Sequence, residues 1–239
     1  MRLHVTCSSN SVFSFLVFIL GFAWYGITGE HLIEPVQLAY FIAASAVLTL
    51  LPGPDIIFVL TQSISSGKGA GMATACGLCT GLLFHTTAAA LGVSAIIYKS
   101  AFVFTVIKYA GAIYLLYLAF RAIQEGDRFI SSVSIREYGT SLLYKRGIFM
   151  NLLNPKVSLF FLAFLPQFVN TGAGNVPLQM VFLGCVFLMQ ALAIFFLVSV
   201  FAGHIGARLM GKPGIGKYIN RTKAGVFTLI GLELALSQR

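Results

Sequence analysis

Two stretches decide the fold: Leu50-Leu51-Pro52-Gly53-Pro54-Asp55 and Leu152-Leu153-Asn154-Pro155-Lys156. Each sets a helix breaker and one charged residue inside an apolar run, which continues as Ile56-Ile57-Phe58 in the first and Val157-Ser158-Leu159-Phe160 in the second. Proline lacks an N–H and clashes with the carbonyl four residues back, so Pro-Gly-Pro stops a helix rather than bending it gently. At membrane depth the freed backbone groups find no water, and they must face protein or a wet cavity. The restarted half-helix turns N–H groups and a positive dipole end toward that cavity, which suits a solute carboxylate. One proline kink commonly serves packing alone. Two at corresponding positions, each beside a charge, predict a functional site.

The surrounding runs exclude a water-soluble domain. Hydrophobic residues make up 58% of the 239 and charged residues 10%, with mean hydropathy +0.89; soluble domains carry about a quarter charged residues. The runs approach the roughly 20 residues that cross a hydrocarbon core, and they are too continuous for alternating barrel strands. The expected fold is therefore an all-α integral membrane protein. Six spans are predicted, at 36–61, 70–97, 102–120, 147–165, 178–203 and 224–236, the last short for a full span. Pro166, Gly172, Gly174, Asn175 and Pro177 divide the fourth from the fifth.

Three spans separate the two broken stretches, so they enter the membrane in opposite directions, the signature of an inverted-topology repeat in a secondary transporter. The predicted architecture is a six-helix bundle of two inverted three-helix repeats with broken first and fourth helices. A single transporter domain, 36–236, comprises repeat one (36–120), a cytoplasmic loop (121–146) and repeat two (147–236). Residues 1–35 form an N-terminal extension. Its apolar part, 11–28, reads as an extra helix, with a cleaved signal or a start codon assigned too early as alternatives.

Orientation follows from Lys and Arg in the connections. Lys68, Arg121, Arg128, Arg136, Lys145, Arg146, Arg208, Lys212, Lys217, Arg221 and Lys223 mark one side, and Lys99 and Arg239 the other. The richer side is assigned to the cytoplasm. The net charge of +9 reflects this bias and not a nucleic-acid surface, since no aromatic-basic platform accompanies it.

Ionisable groups in lipid cost about 2.5–3.5 kcal/mol or more, and each needs a reason. Asp55 and Lys156 are expected to pair with each other or to serve substrate charges; Asp55 also suits an N-cap. Lys108 is expected to snorkel outward. His85 reads as a packing residue or a proton relay. Gln62, Asn151, Asn154 and Gln190 are polar candidates for a cavity wall, and Gly77-x-x-x-Gly81 offers a close helix–helix contact face. Cys76 and Cys79 lie in an apolar run without further ligand-spaced Cys or His, so small-residue packing is expected rather than metal or a disulfide. Gly211 to Lys217 imitates a P-loop, but Tyr218 stands where Ser or Thr should hold magnesium, and no strand precedes it. No metal or cofactor is expected, and transport would draw on an ion gradient.

Pro52-Gly53-Pro54-Asp55, Gly67-Lys68-Gly69-Ala70-Gly71, Gly77-x-x-x-Gly81, His85, Gly111-Ala112-Ile113-Tyr114-Leu115, Asn151 to Lys156 and Phe160 to Phe168 together resemble the LysE/RhtB exporters, over about residues 36–236. The resemblance implies efflux of amino acids or derivatives, homoserine and threonine among them, coupled to proton movement in a bacterial inner membrane. It departs in the N-terminal extension and at Leu82, where some members carry an acid three residues before His85. Substrate binding is expected from Pro52, Gly53, Pro54, Asp55, Asn154, Pro155 and Lys156, and proton coupling from Asp55 or His85. The expected partners are an amino-acid solute, protons and membrane lipid, with homo-oligomerisation left open. An intramembrane enzyme is disfavoured, because His4, His31, His85 and His204 are scattered and no H-E-x-x-H or G-x-S-x-G occurs. An exporter of another solute, a channel or a structural membrane subunit remain alternatives.

Overall fold

The computed structural model describes residues 33–93, 100–124, 138–209 and 215–236, apart from the side chains of 101, 203–216 and 219. The expectation for 11–28 and most of the P-loop-like stretch lie outside them. The described chain is helical, with no strand. The helices are α1 (Pro35–Leu50), α2 (Pro54–Ser66), α3 (Lys68–Ala88, continued by a π turn Ala89–Val93), α4 (Ala101–Gln124), α5 (Thr140–Leu152), α6 (Pro155–Leu159), α7 (Val176–Leu209) and α8 (Ile215–Leu236). After α6 the chain continues through a π turn, Phe160–Phe164, and a 3₁₀ turn, Leu165–Phe168.

Both predicted breaks are present, and local chemistry places them. A residue before proline is pushed out of the helical region. Leu51 (ψ 123°), Gly53 (ψ 179°) and Asn154 (ψ 107°) each precede a proline and are each extended. The result is a bend of 56° between α1 and α2, and one of 48° between α5 and the Pro155–Phe168 segment. The α2 and α5 halves are 13 residues each, so at about 1.5 Å per residue both breaks lie roughly 20 Å from the ends of those halves.

Lys68–Val93, Phe102–Gln124 and Val176–Ala202 are each long and apolar enough to cross a membrane, and counting each bent pair as one span gives up to five. The sixth expected span, 224–236, is the second part of the longer α8 and is not among these spans. Large apolar side chains cover the outside, among them Phe102 (77% exposed) and Ile113 (68%), as a lipid-facing surface requires. Lys108 does not snorkel. Its side chain is buried, with Nζ 4.7 Å from the Tyr109 ring centroid, on a helix that packs along α8 and against the π turn after α6. Pro166 and Gly172 stand in the short 3₁₀ turns, Gly174 takes φ +76°, and Pro177 is the second residue of α7, so the predicted breakers do separate α6 from α7.

α3 is the organising element, packed against α2, α5 and α7. Gly77 and Gly147 permit the α3–α5 approach. A Cβ at Gly77 would collide with the Tyr144 carbonyl, and one at Gly147 would lie 2.6 Å from the Thr74 carbonyl oxygen. Gly81, one turn on, faces Asn151, whose Oδ1 would lie 2.7 Å from an added Cβ. The Gly77-x-x-x-Gly81 face is thus a helix contact as expected, and it presses on the second break. Gly67 (φ +83°) alone joins α2 to α3.

Gly77→Ala is expected to destabilise the protein by about 1–3 kcal/mol, since the obstacle is backbone and cannot rotate away. Gly225→Ala, with open space around its Cβ, should be neutral or slightly stabilising. Thermal melts of the purified protein in detergent compare the two; equal melting temperatures would contradict the packing assigned to α3 and α5.

Candidate functional site

The prolines dictate what the site needs. Residue 52 would donate to the Leu48 carbonyl in a continuous helix, but Pro52 has no N–H. That orphaned carbonyl is taken by Lys156, whose Nζ donates to Leu48 O at 3.1 Å and to Leu51 O at 3.5 Å. Lys156 therefore closes the C-terminal end of α1 from the other break, with its cation at the negative end of the helix. The same arithmetic holds in the second break. Pro155 cannot donate to Asn151 O, and that carbonyl accepts from Asn154 N at 3.0 Å and meets His85 Nε2 at 3.2 Å. A carbonyl only accepts, so the His85 nitrogen facing it carries the proton.

Lys156 Nζ also pairs with Asp55 Oδ2 at 3.2 Å, both side chains being 5% exposed. Asp55 is not the cap. Gly53 occupies the N-cap position because its pre-proline extension puts it there, and Asp55 stands in the first turn of α2, where its charge meets the positive helix end. At the second break Asn154 is a true N-cap, its Oδ1 accepting from Lys156 N at 3.1 Å. Gly53 leaves room for the pair: a Cβ there would lie 2.8 Å from Asp55 Oδ1 and 3.1 Å from Lys156 Nζ. The structure thus gathers the predicted binding residues of both breaks at one junction, and of the two expected arrangements of Asp55 and Lys156 it contains the mutual pair.

A cavity of about 10 Å³, room for about one water molecule, adjoins the pair and is lined by Asp55, Lys156, Thr49, Asn151, Leu82 and Phe187, among others. Asp55 Oδ1 and Asn151 Oδ1 are buried there without a hydrogen-bond partner, and Asn154 Nδ2 is a third such atom nearby. Leu82, the position where the resemblance departs, is on this wall. His85 is not; it reaches the cavity only through Asn151, and its ring lies 5.6 Å from that of Phe161. Phe187 meets Phe160 and Phe161 at 5.0 and 5.4 Å, and Phe41 meets Phe160 and Phe168 at 5.8 and 5.3 Å. This aromatic cluster fills the space beyond Lys156 along the chain.

Of the other polar candidates, Gln190 accepts from Ser45 at 3.1 Å, beside α1, and Gln62 is buried; neither lines the small cavity. Two wider pockets open beside the breaks. One of about 180 Å³ is lined by Pro52, Gly53, Asn154 and Lys156 with Arg121 and Lys223. The other, of about 420 Å³, is lined by Pro54, Leu153, Asn154 and Pro155 with Arg146. Thr49, Arg121 and Lys223 escaped the sequence reading. Thr49 precedes the break, so its facing relative to Asp55 is not set by helical periodicity, and the two cations read only as topology markers.

The family model described as LysE type translocator matches residues 46–238. The chain is 31% identical over 212 residues to the uncharacterized membrane protein YrhP of Bacillus subtilis strain 168, covering 84% of this chain and 99% of that one. It is 28% identical to an uncharacterized membrane protein of Vibrio cholerae serotype O1, covering 85% and 98%. It is 29% identical to the homoserine/homoserine lactone efflux protein of Salmonella typhimurium strain LT2, covering 82% and 94%. No solved structure matches the chain.

Breaking the buried pair is expected to be asymmetric. Lys156→Met leaves the Asp55 carboxylate buried and unpaired, costing about 3–5 kcal/mol. Asp55→Asn is milder, because Lys156 keeps the Leu48 and Leu51 carbonyls. The double variant Asp55→Asn/Lys156→Met removes both charges and should recover most of the loss. Melting temperatures of the three proteins check the order; a double variant no better than Lys156→Met would reject the pairing as the source of the cost.

Proposed function

The chain belongs to the LysE type translocator family, so it is a transporter and not an enzyme, and on that premise we propose a secondary exporter of amino acids or their derivatives, homoserine-type solutes first. The proposal extends to proton antiport and to a bacterial inner membrane as its location. The observation that carries it is the small cavity, where a buried ion pair stands beside two unsatisfied acceptors. A zwitterion is the solute this arrangement accepts at least electrostatic cost. Its ammonium suits Asp55 Oδ1 and Asn151 Oδ1, and its carboxylate suits Lys156 and Asn154 Nδ2. Inserting a neutral zwitterion between the paired charges keeps each compensated, as a buried pair requires.

The cavity is too small for an amino acid, so the form described is occluded and binding needs the two breaks to part. Pro52, Gly53, Pro54 and Pro155 supply the backbone that parts. The six-helix inverted repeat gains support from the packing pattern: exchanging the repeats maps the α3–α5 contact onto the contacts of α7 with α1 and α2, and maps α3–α7 and α4–α8 onto themselves. Rocking of repeat one (36–120) against repeat two (147–236) then alternates access. Asp55 is the leading proton-coupling group because it lines the cavity, with His85 acting through Asn151. The Salmonella relative's name, which includes homoserine, supports the solute class.

Cells loaded with homoserine-containing dipeptide and expressing the protein are expected to release homoserine several-fold faster than controls, and an uncoupler should abolish the difference. Asp55→Asn, at equal membrane abundance, is expected to lower uphill export at least tenfold; unchanged export from it would remove Asp55 from the mechanism. Exchange of labelled for unlabelled solute separates a carrier from a channel.

A further inference from the structure

The pocket of about 180 Å³ contains a feature that the paired breaks do not account for. Arg121, from the end of α4, and Lys223, from α8, stand on its wall beside Asn154, with Phe227 as an apolar side and Lys156 shared with the occluded cavity. No Asp or Glu is among the described residues that line it. The two cations come from different helices and stand together because α4 and α8 pack along each other. Arg121 Nη1 donates to the Tyr117 hydroxyl at 3.4 Å on its own helix, a neutral partner that leaves the guanidinium charge uncompensated by that contact. Arg146, by contrast, lines the neighbouring pocket with its guanidinium stacked 3.9 Å above the Tyr138 ring.

We propose that this vestibule is a carboxylate-recognition station, in which Arg121 and Lys223 receive the carboxylate of the solute before it passes to Lys156. The proposal rests on the amino-acid export reading above and adds a specificity determinant to it. A vestibule lined by one sign of charge within apolar walls concentrates the opposite charge. It also orients a zwitterion, carboxylate inward, so that the carboxylate meets Lys156 first. Lys156 lines both spaces, so a carboxylate arriving from the vestibule competes with Asp55 for it, and the pair opens from the Lys156 side. The volume fits a small solute, and Arg121 and Lys223 are among the basic residues assigned to the cytoplasmic side, the loading side of an exporter. The same two cations disfavour a solute that carries an amine without a carboxylate.

Homoserine and homoserine lactone isolate the effect, since the lactone keeps the amine and has no carboxylate. Everted membrane vesicles containing the full-length protein expose the cytoplasmic face, and counterflow of each labelled solute at sub-saturating concentration needs no assumption about the coupling ion. Arg121→Gln/Lys223→Gln is expected to lower the homoserine-to-lactone rate ratio about tenfold, through a higher half-saturating concentration for homoserine, and the effect should shrink at high salt. Arg121→Lys/Lys223→Arg, which conserves both charges, is expected to keep the ratio within about twofold. A ratio unchanged by the neutral variant, or one lowered equally by the charge-conserving variant, would overturn the proposal. Failure of the unaltered protein to exchange either solute is a different result, which overturns the export reading and this station with it.

Discussion

The buried ion pair between Asp55 and Lys156 is the constraint on which the rest of the structure depends. It joins two interrupted helices that lie far apart in sequence, and it answers a need that the prolines create. Pro52 frees the Leu48 carbonyl, and Lys156 fills that vacancy while its cation meets the negative end of α1. The carboxylate of Asp55 meets the positive end of α2 and neutralises the cation. Neither charge is affordable alone at membrane depth. Around the junction, the small residue at Gly53 leaves space for the two side chains, and the Gly77–Gly147 crossing brings α3 close enough for His85 to reach the freed Asn151 carbonyl.

Much of this was legible in the sequence, because proline acts locally. The ends of α1 at Leu50 and of α5 at Leu152 follow from the residues alone, as do the separators between α6 and α7 and the glycine contact face on α3. What was not legible depends on tertiary placement. Lys108 looked free to snorkel because helical position says nothing about the neighbour that covers it. Asp55 looked like a cap because side-chain preference suggested it, whereas the extended backbone of a pre-proline glycine decides the position. The last span looked short because only its apolar part was read, and α8 begins well before it at Ile215. Arg121 and Lys223 were visible only as counts of charge; their meeting at one pocket comes from the packing of α4 on α8.

The glycine and aromatic packing around the site divides its walls unequally. On one side, α3 and α5 cross backbone to backbone and have little freedom to part. On the other, Phe41, Phe160, Phe161, Phe164, Phe168 and Phe187 meet ring to ring, with centroids 5.0–6.0 Å apart where they touch. Rings can slide and change rotamer at modest cost, while a carbonyl cannot yield to a Cβ. The π turn at Phe160–Phe164 adds a local irregularity of the kind that accompanies functional segments. In the rocking proposed above, the α3–α5 crossing would be the pivot about which the two repeats turn, and the aromatic side the place where they separate.

The antiport proposed above would act through the same pair. Asp55 holds one negative charge, and Lys156, a proton and a solute ammonium all compete for it. Lys156 leaves when a solute carboxylate takes it, and the vacated Asp55 then accepts the ammonium of the same molecule. After release, the carboxylate accepts either Lys156 or a proton. A proton and a solute cannot occupy Asp55 together, so each must depart before the other binds, and a carrier that changes sides in either loaded state exchanges one for the other. Coupling of this kind needs no second acid in the cavity, and the wall position can be Leu82 here. Exclusion at one carboxylate, rather than a relay of several, is the economical mechanism that a single buried ion pair supports.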